Sequence, residues 1–403
     1  MSVGTGETSM IGRLERVWHE GREGGDGVLR LGPQALVLVA DPAGVRHVLA
    51  ANPEVYVKKS HRLGALLGDG VITAAGEPWR RQRKLLQAHF TGPGVRRYAE
   101  AMEGAAQRVV ARWRDAARAG TPVDLADETR AYSLDVIWRT ATGSTAGLDA
   151  DTDRELRVID EVFGALPPFP EPGVPAPDLS EGLARMHATV DRIVAGARSG
   201  PAGGGLLGVL LDAGYPPELV RDELITLLAA GYETTATTLT WLFLLLDGAP
   251  GEREAALGAG AEGVRALVSE ALRLYPVVWM LPRHAAADDV LPDGRRVSAG
   301  DVVLSAPWFT HRDPGVWERP GEFRPGRFLP GGERPHAPGA YAPFGLGPRA
   351  CLGAQFAVRE SVVLLERLLP ALTPVPVGEA PAPHFGVTVR PAGPVWARVV
   401  EHG

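Results

Sequence analysis

Cysteine is nearly absent from this sequence: Cys351 is the single one in 403 residues. That excludes a disulfide framework within the chain, a zinc ribbon, a Cys-X-X-Cys redox pair and any cysteine-ligated iron–sulfur cluster. A buried thiol, a nucleophile and a one-cysteine metal site stay open. Composition alone favours the first, because free cysteine behaves as a small buried hydrophobe. The lack of disulfides fits a reducing cytoplasm. Lysine is scarce too: of 42 basic residues only Lys58, Lys59 and Lys84 are lysines. Charge of one sign is not in excess, since 42 basic and 48 acidic residues leave −6. That balance argues against a nucleic-acid or anionic-membrane partner. The N-terminal MSVGTGETSMIGRLERVWHE has no apolar run of signal-peptide length. One long apolar stretch exists, LITLLAAGYETTATTLTWLFLLL at 224–246. It has the length to span a bilayer, but Glu233 sits mid-run among six threonines, and a charge at that depth is costly in lipid. We expect a buried central helix and no membrane span.

What is present is an ordinary globular composition, 45% hydrophobic and 22% charged, on a chain long enough for a large core. No internal repeat is visible, and no boundary separates independent domains, so a single domain over 1–403 is expected. Val28–Leu31 and residues 36–40 read as strands around Gly32-Pro33. Asp41-Pro42 reads as an N-cap and first-turn proline for a helix to Ala50. Glu77-Pro78 opens a helix to His89, and helical periodicity recurs near 95–118, 124–142 and 151–164. The proline-rich 166–180 segment reads as a lid or a plain linker. Pro216-Pro217 and Gly248 bound the long helix, and an amphipathic helix over 264–275 ends at Pro276. Residues 286–306 carry strand signals, 354–369 a helix, and VTVRPAGPVWARV a closing hairpin. The fold class is mainly α with a minor β part, about a dozen helices.

The segment from Phe344 to Gly353, FGLGPRACLG, is the most informative. Its three glycines permit a tight loop of unusual φ. Cys351 precedes a predicted helix, and that N-terminus and Arg349 both favour a thiolate. Such a sulfur suits an axial metal ligand or a nucleophile.

The pattern Phe344-x-x-Gly347-x-Arg349-x-Cys351-x-Gly353 resembles the heme-binding loop of the cytochrome P450 family. Four further segments resemble family motifs in the family's order. They are Glu270-x-x-Arg273, Pro325-Gly-Arg327-Phe328, the oxygen groove Ala230-Gly231-Tyr-Glu233-Thr234, and Trp79-x-x-x-Arg83. Arg283 fits the family's second propionate arginine. The resemblance implies the P450 fold and a heme b (iron protoporphyrin IX) with Cys351 as axial thiolate, whose electron donation favours O–O cleavage. It implies that Phe344, Gly345 and Gly353 lie against the heme, and that Trp79, Arg83, Arg283 and Arg349 hold its propionates. Ala230 and Gly231 would give O2, the co-substrate, room to approach. Glu233 and Thr234 would order water and deliver protons. Glu270, Arg273 and Arg327 would form a structural ionic cluster. Trp79 and Arg349 depart from the histidines of many bacterial members.

Function follows as expectation: a monooxygenase inserting one atom of O2 into a lipophilic molecule of terpenoid, fatty acyl or polyketide type, in bacterial secondary metabolism. The alternatives are a heme-thiolate peroxygenase, an oxidative coupling enzyme, or a non-catalytic heme sensor. The expected substrate lining is Leu63, Leu66, Leu67, Val71, Ile72, Val278, Trp279, Met280 and Phe385, with His61, Arg62 and His384 as polar anchors or plain surface residues. No flavin or nicotinamide domain is visible, so a ferredoxin or flavodoxin with its NAD(P)H reductase is expected to donate electrons. Arg80, Arg81 and Lys84 would dock it. A cytoplasmic monomer is expected.

Overall fold

The computed structural model describes residues 9–23, 27–31, 34–59, 61–167, 177–199 and 205–402. Its contacts fall into two compact units, each assembled from segments remote in sequence. The first comprises Met1–Lys59, Ala266–Cys351 and Ala382–Arg390; the second comprises Ser60–Arg265, Leu352–Pro381 and Pro391–Gly403. Among the described residues no helix is long and apolar enough to cross a membrane.

The first unit is built on a five-stranded sheet. Its strand order is Val28–Leu31, Gln34–Val39, Val302–Ser305, Leu281–Ala285 and Tyr56–Val57. Val302–Ser305 runs parallel to Gln34–Val39 and antiparallel to Leu281–Ala285, and all four of its residues are buried. A strand paired on both edges and covered on both faces reads as a continuous apolar run, as VVLS nearly does. Leu281–Ala285 escapes sequence reading because Pro282, Arg283 and His284 interrupt its apolar pattern. The predicted Asp41 cap forms: its Oδ1 accepts from Gly44 N at 2.7 Å. The α-helix Pro42–Arg46 then widens into a π-turn over His47–Ala51.

A buried ionic cluster braces this unit. The Arg273 guanidinium donates Nε to Glu270 Oε2 and Nη2 to Glu270 Oε1, both at 2.8 Å, and neither residue has exposed surface. Arg327 Nε lies 3.4 Å from Glu270 Oε1, and Arg324 N donates to the same oxygen at 2.9 Å. The remaining Arg273 donors take the carbonyls of His311, Pro320 and Glu322. Opposite charges and backbone partners thus surround Glu270 and Arg273, the condition under which a buried pair is tolerated.

The second unit is dominated by the helix Pro217–Asp247, 31 residues and about 46 Å long. Twenty of its residues are buried, so it is a core helix wrapped on most sides, packed along Leu125–Thr142. Near its start, Asp222 Oδ2 accepts from Asp69 N at 3.0 Å and Glu223 Oε2 from Val71 N at 3.1 Å. Gln82 Nε2 donates to Asp69 O at 2.9 Å, so the 68–73 turn is pinned from two helices.

One expectation fails here. Residues 387–399 do not close as a hairpin. Val389–Pro391 pairs with Pro383–Phe385, whereas Trp396–Glu401 pairs with Leu372–Pro376 and Val123–Asp124. Ala397 and Val399 point inward and Trp396 and Val400 outward, so the last strand is placed by burying alternate residues against distant partners.

Two measurements check these interactions. Glu270→Ala leaves Arg273 and Arg327 uncompensated and should lower unfolding free energy by about 3–5 kcal/mol in urea titration. The Glu223 carboxyl has no exposed surface, and burial pushes it from 4.5 up to about 7. The folded protein therefore holds a proton that the unfolded chain releases between those values, and stability falls as pH rises through that window. Glu223→Gln should remove this component. Its stability relative to wild type should rise by about 3 kcal/mol at most between pH 4 and pH 8.

Candidate active site

The cysteine loop is shaped by a short run of hydrogen bonds. His311 is fully buried, and its Nδ1 meets the Arg273 carbonyl at 3.2 Å. Its Nε2 accepts the Ala342 amide at 2.9 Å, which requires the neutral ring with the proton on Nδ1. Burial and the nearby Arg273 charge hold the imidazole down to about 3, so it stays neutral. Ala342 O in turn accepts from Gly345 N at 3.0 Å, Ala350 N donates to Gly347 O at 3.1 Å, and Cys351 N donates to Phe344 O at 2.8 Å. The ionic cluster thus fixes the start of the cysteine loop through His311, a residue that sequence reading missed. Its partners lie 38 and 31 positions away, so no local signal exists.

Two of the three loop glycines are conformationally required. Gly345 has φ +68° and Gly347 φ +69°. A Cβ on Gly347 would also overlap the Leu49 carbonyl oxygen on the π-turn. Gly353 is ordinary, with φ −87°, and serves as N-cap of Ala354–Leu368. Cys351, just before it, is exposed. The burial prior for a lone cysteine therefore does not hold here.

Arg283 stands on the Leu281–Ala285 strand and is 5% exposed. Its Nη1 donates to the Pro282 carbonyl at 2.9 Å, and burial alone lowers it to about 10. Among the described residues no carboxylate acts on this buried guanidinium, which is costly, and its planar fork matches a carboxylate. Arg349 is half-buried beside the cysteine, and Phe344 is half-buried at the loop start. An exposed thiol on a rigid glycine loop with an uncompensated buried arginine in the same unit fits a metal-bearing, anionic cofactor such as heme.

In the second unit, Trp79 and Arg83 share one face of the helix Gly76–Phe90, with the guanidinium carbon 6.0 Å from the indole centre. Both are half-buried, whereas Arg80, Arg81 and Lys84 are exposed, and Arg80 pairs with Glu77 at 2.9 Å. On the central helix, Ala230 is exposed and Gly231, Glu233 and Thr234 are half-exposed, an open stretch in an otherwise buried run. Glu233 is thus not the buried carboxylate that its position in the run predicts. Thr234 Oγ1 donates to Ala230 O at 2.9 Å, and Thr238 and Thr240 bond back in the same way. The helix is α throughout, the Ala230-Gly231 step included. A Cβ on Gly231 would overlap Ile137, so this glycine also admits the Leu125–Thr142 helix to close packing.

Several predicted lining residues do other work. Leu66 and Leu67 are core, and Trp279 donates its indole N–H to Gly386 O at 2.9 Å while packing edge-on against Phe385. Val71 and Ile72 in the second unit, and Val278 and Met280 in the first, each keep partial exposure. The side chains of His61 and Arg62 lie outside the described residues, as does 168–176 of the proline-rich segment.

Comparison with known proteins points one way. The family model for cytochrome P450 matches residues 27–196 and 263–386. The chain is 30% identical to cyclooctatin synthase of Streptomyces melanosporofaciens, covering 90% of this chain and 86% of that protein. It is 30% identical to pentalenene oxygenase of Streptomyces avermitilis, covering 85% and 82% respectively. A crystal structure of a six-coordinated cytochrome P450 from Thermus thermophilus superposes with a TM-score of 0.77 at 30% identity, covering 96% of this chain and 98% of that one. With the motifs in order, the loop built and most of the length matched, this chain belongs to the cytochrome P450 family and is a monooxygenase.

Proposed function

We propose that this monooxygenase inserts one oxygen atom from O2 into a terpenoid of bacterial secondary metabolism. The observation that carries this is the pair of Streptomyces relatives at 30% identity, named for cyclooctatin and pentalenene. The partly exposed apolar residues Val71, Ile72 and Met280 suit a hydrocarbon skeleton. Polyketide and fatty acyl substrates have no comparable support.

The residue roles follow from the motif matches. Cys351 would supply the thiolate that holds a heme b. By the motif matches, Arg83, Arg283, Arg349 and Trp79 would hold its carboxylates, and Phe344, Gly345, Gly353, Ala230 and Gly231 would be the other residues that hold the cofactor and admit O2. When bound, the heme iron supplies the redox chemistry that activates O2. Thr234 is held by the Ala230 carbonyl, which takes its hydroxyl hydrogen and leaves its lone pairs to accept from water. Glu233, half-exposed on the same open stretch, exchanges protons with that water. This acid–alcohol pair favours the O2 route over a peroxide-driven one. Electrons come from a ferredoxin or flavodoxin served by an NAD(P)H reductase. Arg81 and Lys84 are the better docking charges, since Arg80 is already paired with Glu77.

The test is spectroscopic and then chemical. The ferrous carbonyl complex should show the red-shifted thiolate band, and Cys351→Ser should lose it. Cyclic terpenes should shift the ferric heme toward high spin. A panel in which only fatty acids do so would refute the substrate class. Thr234→Ala should keep the carbonyl band but lower product formed per reductant consumed by about tenfold or more.

A further inference from the structure

The strand Tyr56–Val57 pairs antiparallel with Leu281–Ala285, with Tyr56 opposite Ala285 and Val57 opposite His284. One step further along this register sets Lys58 opposite Arg283. Ala286 N donates to Val55 O at 2.7 Å, which makes 55 and 286 a hydrogen-bonded pair. Alternation then makes Lys58 and Arg283 a non-hydrogen-bonded pair, the type whose side chains lie closest. Side chains alternate across a strand, so Lys58 shares the face of Tyr56, Ala285 and Arg283. Like charges placed directly opposite destabilise a sheet. Among the described residues no carboxylate acts on either Lys58 or Arg283. Instead, burial and the charges of Arg283 and Arg349 push the Lys58 ammonium down to about 7, while the Cys351 sulfur pulls it the other way. Lys58 therefore lies in the field of the cysteine loop, opposite a buried cation and with no carboxylate of its own.

We propose that Lys58 is a further cofactor-positioning residue, a cation that meets the heme carboxylates beside Arg283 and Arg349. This rests on the reading that those arginines face the carboxylates. An anion shared with Arg283 would remove the cross-strand repulsion and return the ammonium to its charged form. A positive charge held there also favours the ferrous over the ferric heme, because reduction adds negative charge to the centre. Lys59, the next residue, is exposed and alternates to the opposite face, so it makes an internal control.

The experiment compares purified holoenzyme of wild type, Lys58→Gln, Lys58→Arg and Lys59→Gln. The readouts are the reduction potential and the rate of heme transfer to excess apomyoglobin. Lys58→Gln should shift the potential negative and speed heme transfer by about tenfold, as loss of one charge-assisted bond implies. Lys58→Arg should restore both values, and Lys59→Gln should match wild type. Unchanged potential and transfer in Lys58→Gln would overturn the proposal while leaving the arginine roles intact. Equal losses in Lys58→Gln and Lys58→Arg would also overturn it, because they would reflect packing and not charge. A wild-type protein without heme would sink this proposal together with the cofactor reading.

Discussion

The bidentate pair between Glu270 and Arg273 is the interaction on which the cysteine loop depends. Both side chains are fully buried, so neither charge could persist without the other. Arg273 has donors to spare, and it places them on the carbonyls of His311, Pro320 and Glu322. One of those three residues, His311, then hands the constraint onward to the Ala342 amide. Ala342 O holds Gly345, and the loop closes where Cys351 N meets Phe344 O. A salt bridge that contributes little net stability can still set where a ligand sulfur is presented. Removing one carboxylate would cost more than an ion pair, because a whole sequence of neutral hydrogen bonds is aligned behind it.

Electrostatics in the two units differ in kind. In the first, positive charge gathers near the cysteine loop: among the described residues no carboxylate acts on buried Arg283, the register of Tyr56–Val57 carries Lys58 toward it, and Arg349 is half-buried. Such an arrangement is unfavourable for the protein alone and favourable for an anionic cofactor, a division of labour common at functional sites. In the second, buried carboxylates do mechanical work. Asp222 and Glu223 hold the 68–73 turn through backbone amides, and the cost of burying Glu223 shows in its raised proton affinity. The open stretch at Ala230, Glu233 and Thr234 interrupts the same helix farther along.

Much of this was legible in the sequence, and the limits have a physical origin. The cysteine loop, the Glu270–Arg273 pair and the central helix are local patterns. Their signals sit within a few residues of each other, as φ-demanding glycines, an i,i+3 ion pair and proline bounds. His311 and Lys58 were silent because each is defined by partners brought in by the chain's return. For Lys58 that return runs through a strand whose Pro282, Arg283 and His284 hid its apolar pattern. The same cause misplaced the C-terminal hairpin, whose strands pair with segments elsewhere in the chain. Gly231 carried a double meaning, an oxygen-side glycine by motif and a helix contact by packing against Ile137. Glu233 looked buried because it lies in an apolar run, yet helical geometry turns it onto the one open face.

The central claim is that the lone cysteine, held by this loop, ligates the heme iron. X-ray absorption at the iron edge of the purified ferric protein tests it directly. One sulfur neighbour in the first coordination shell is the expected result. A first shell of nitrogen and oxygen alone would contradict it.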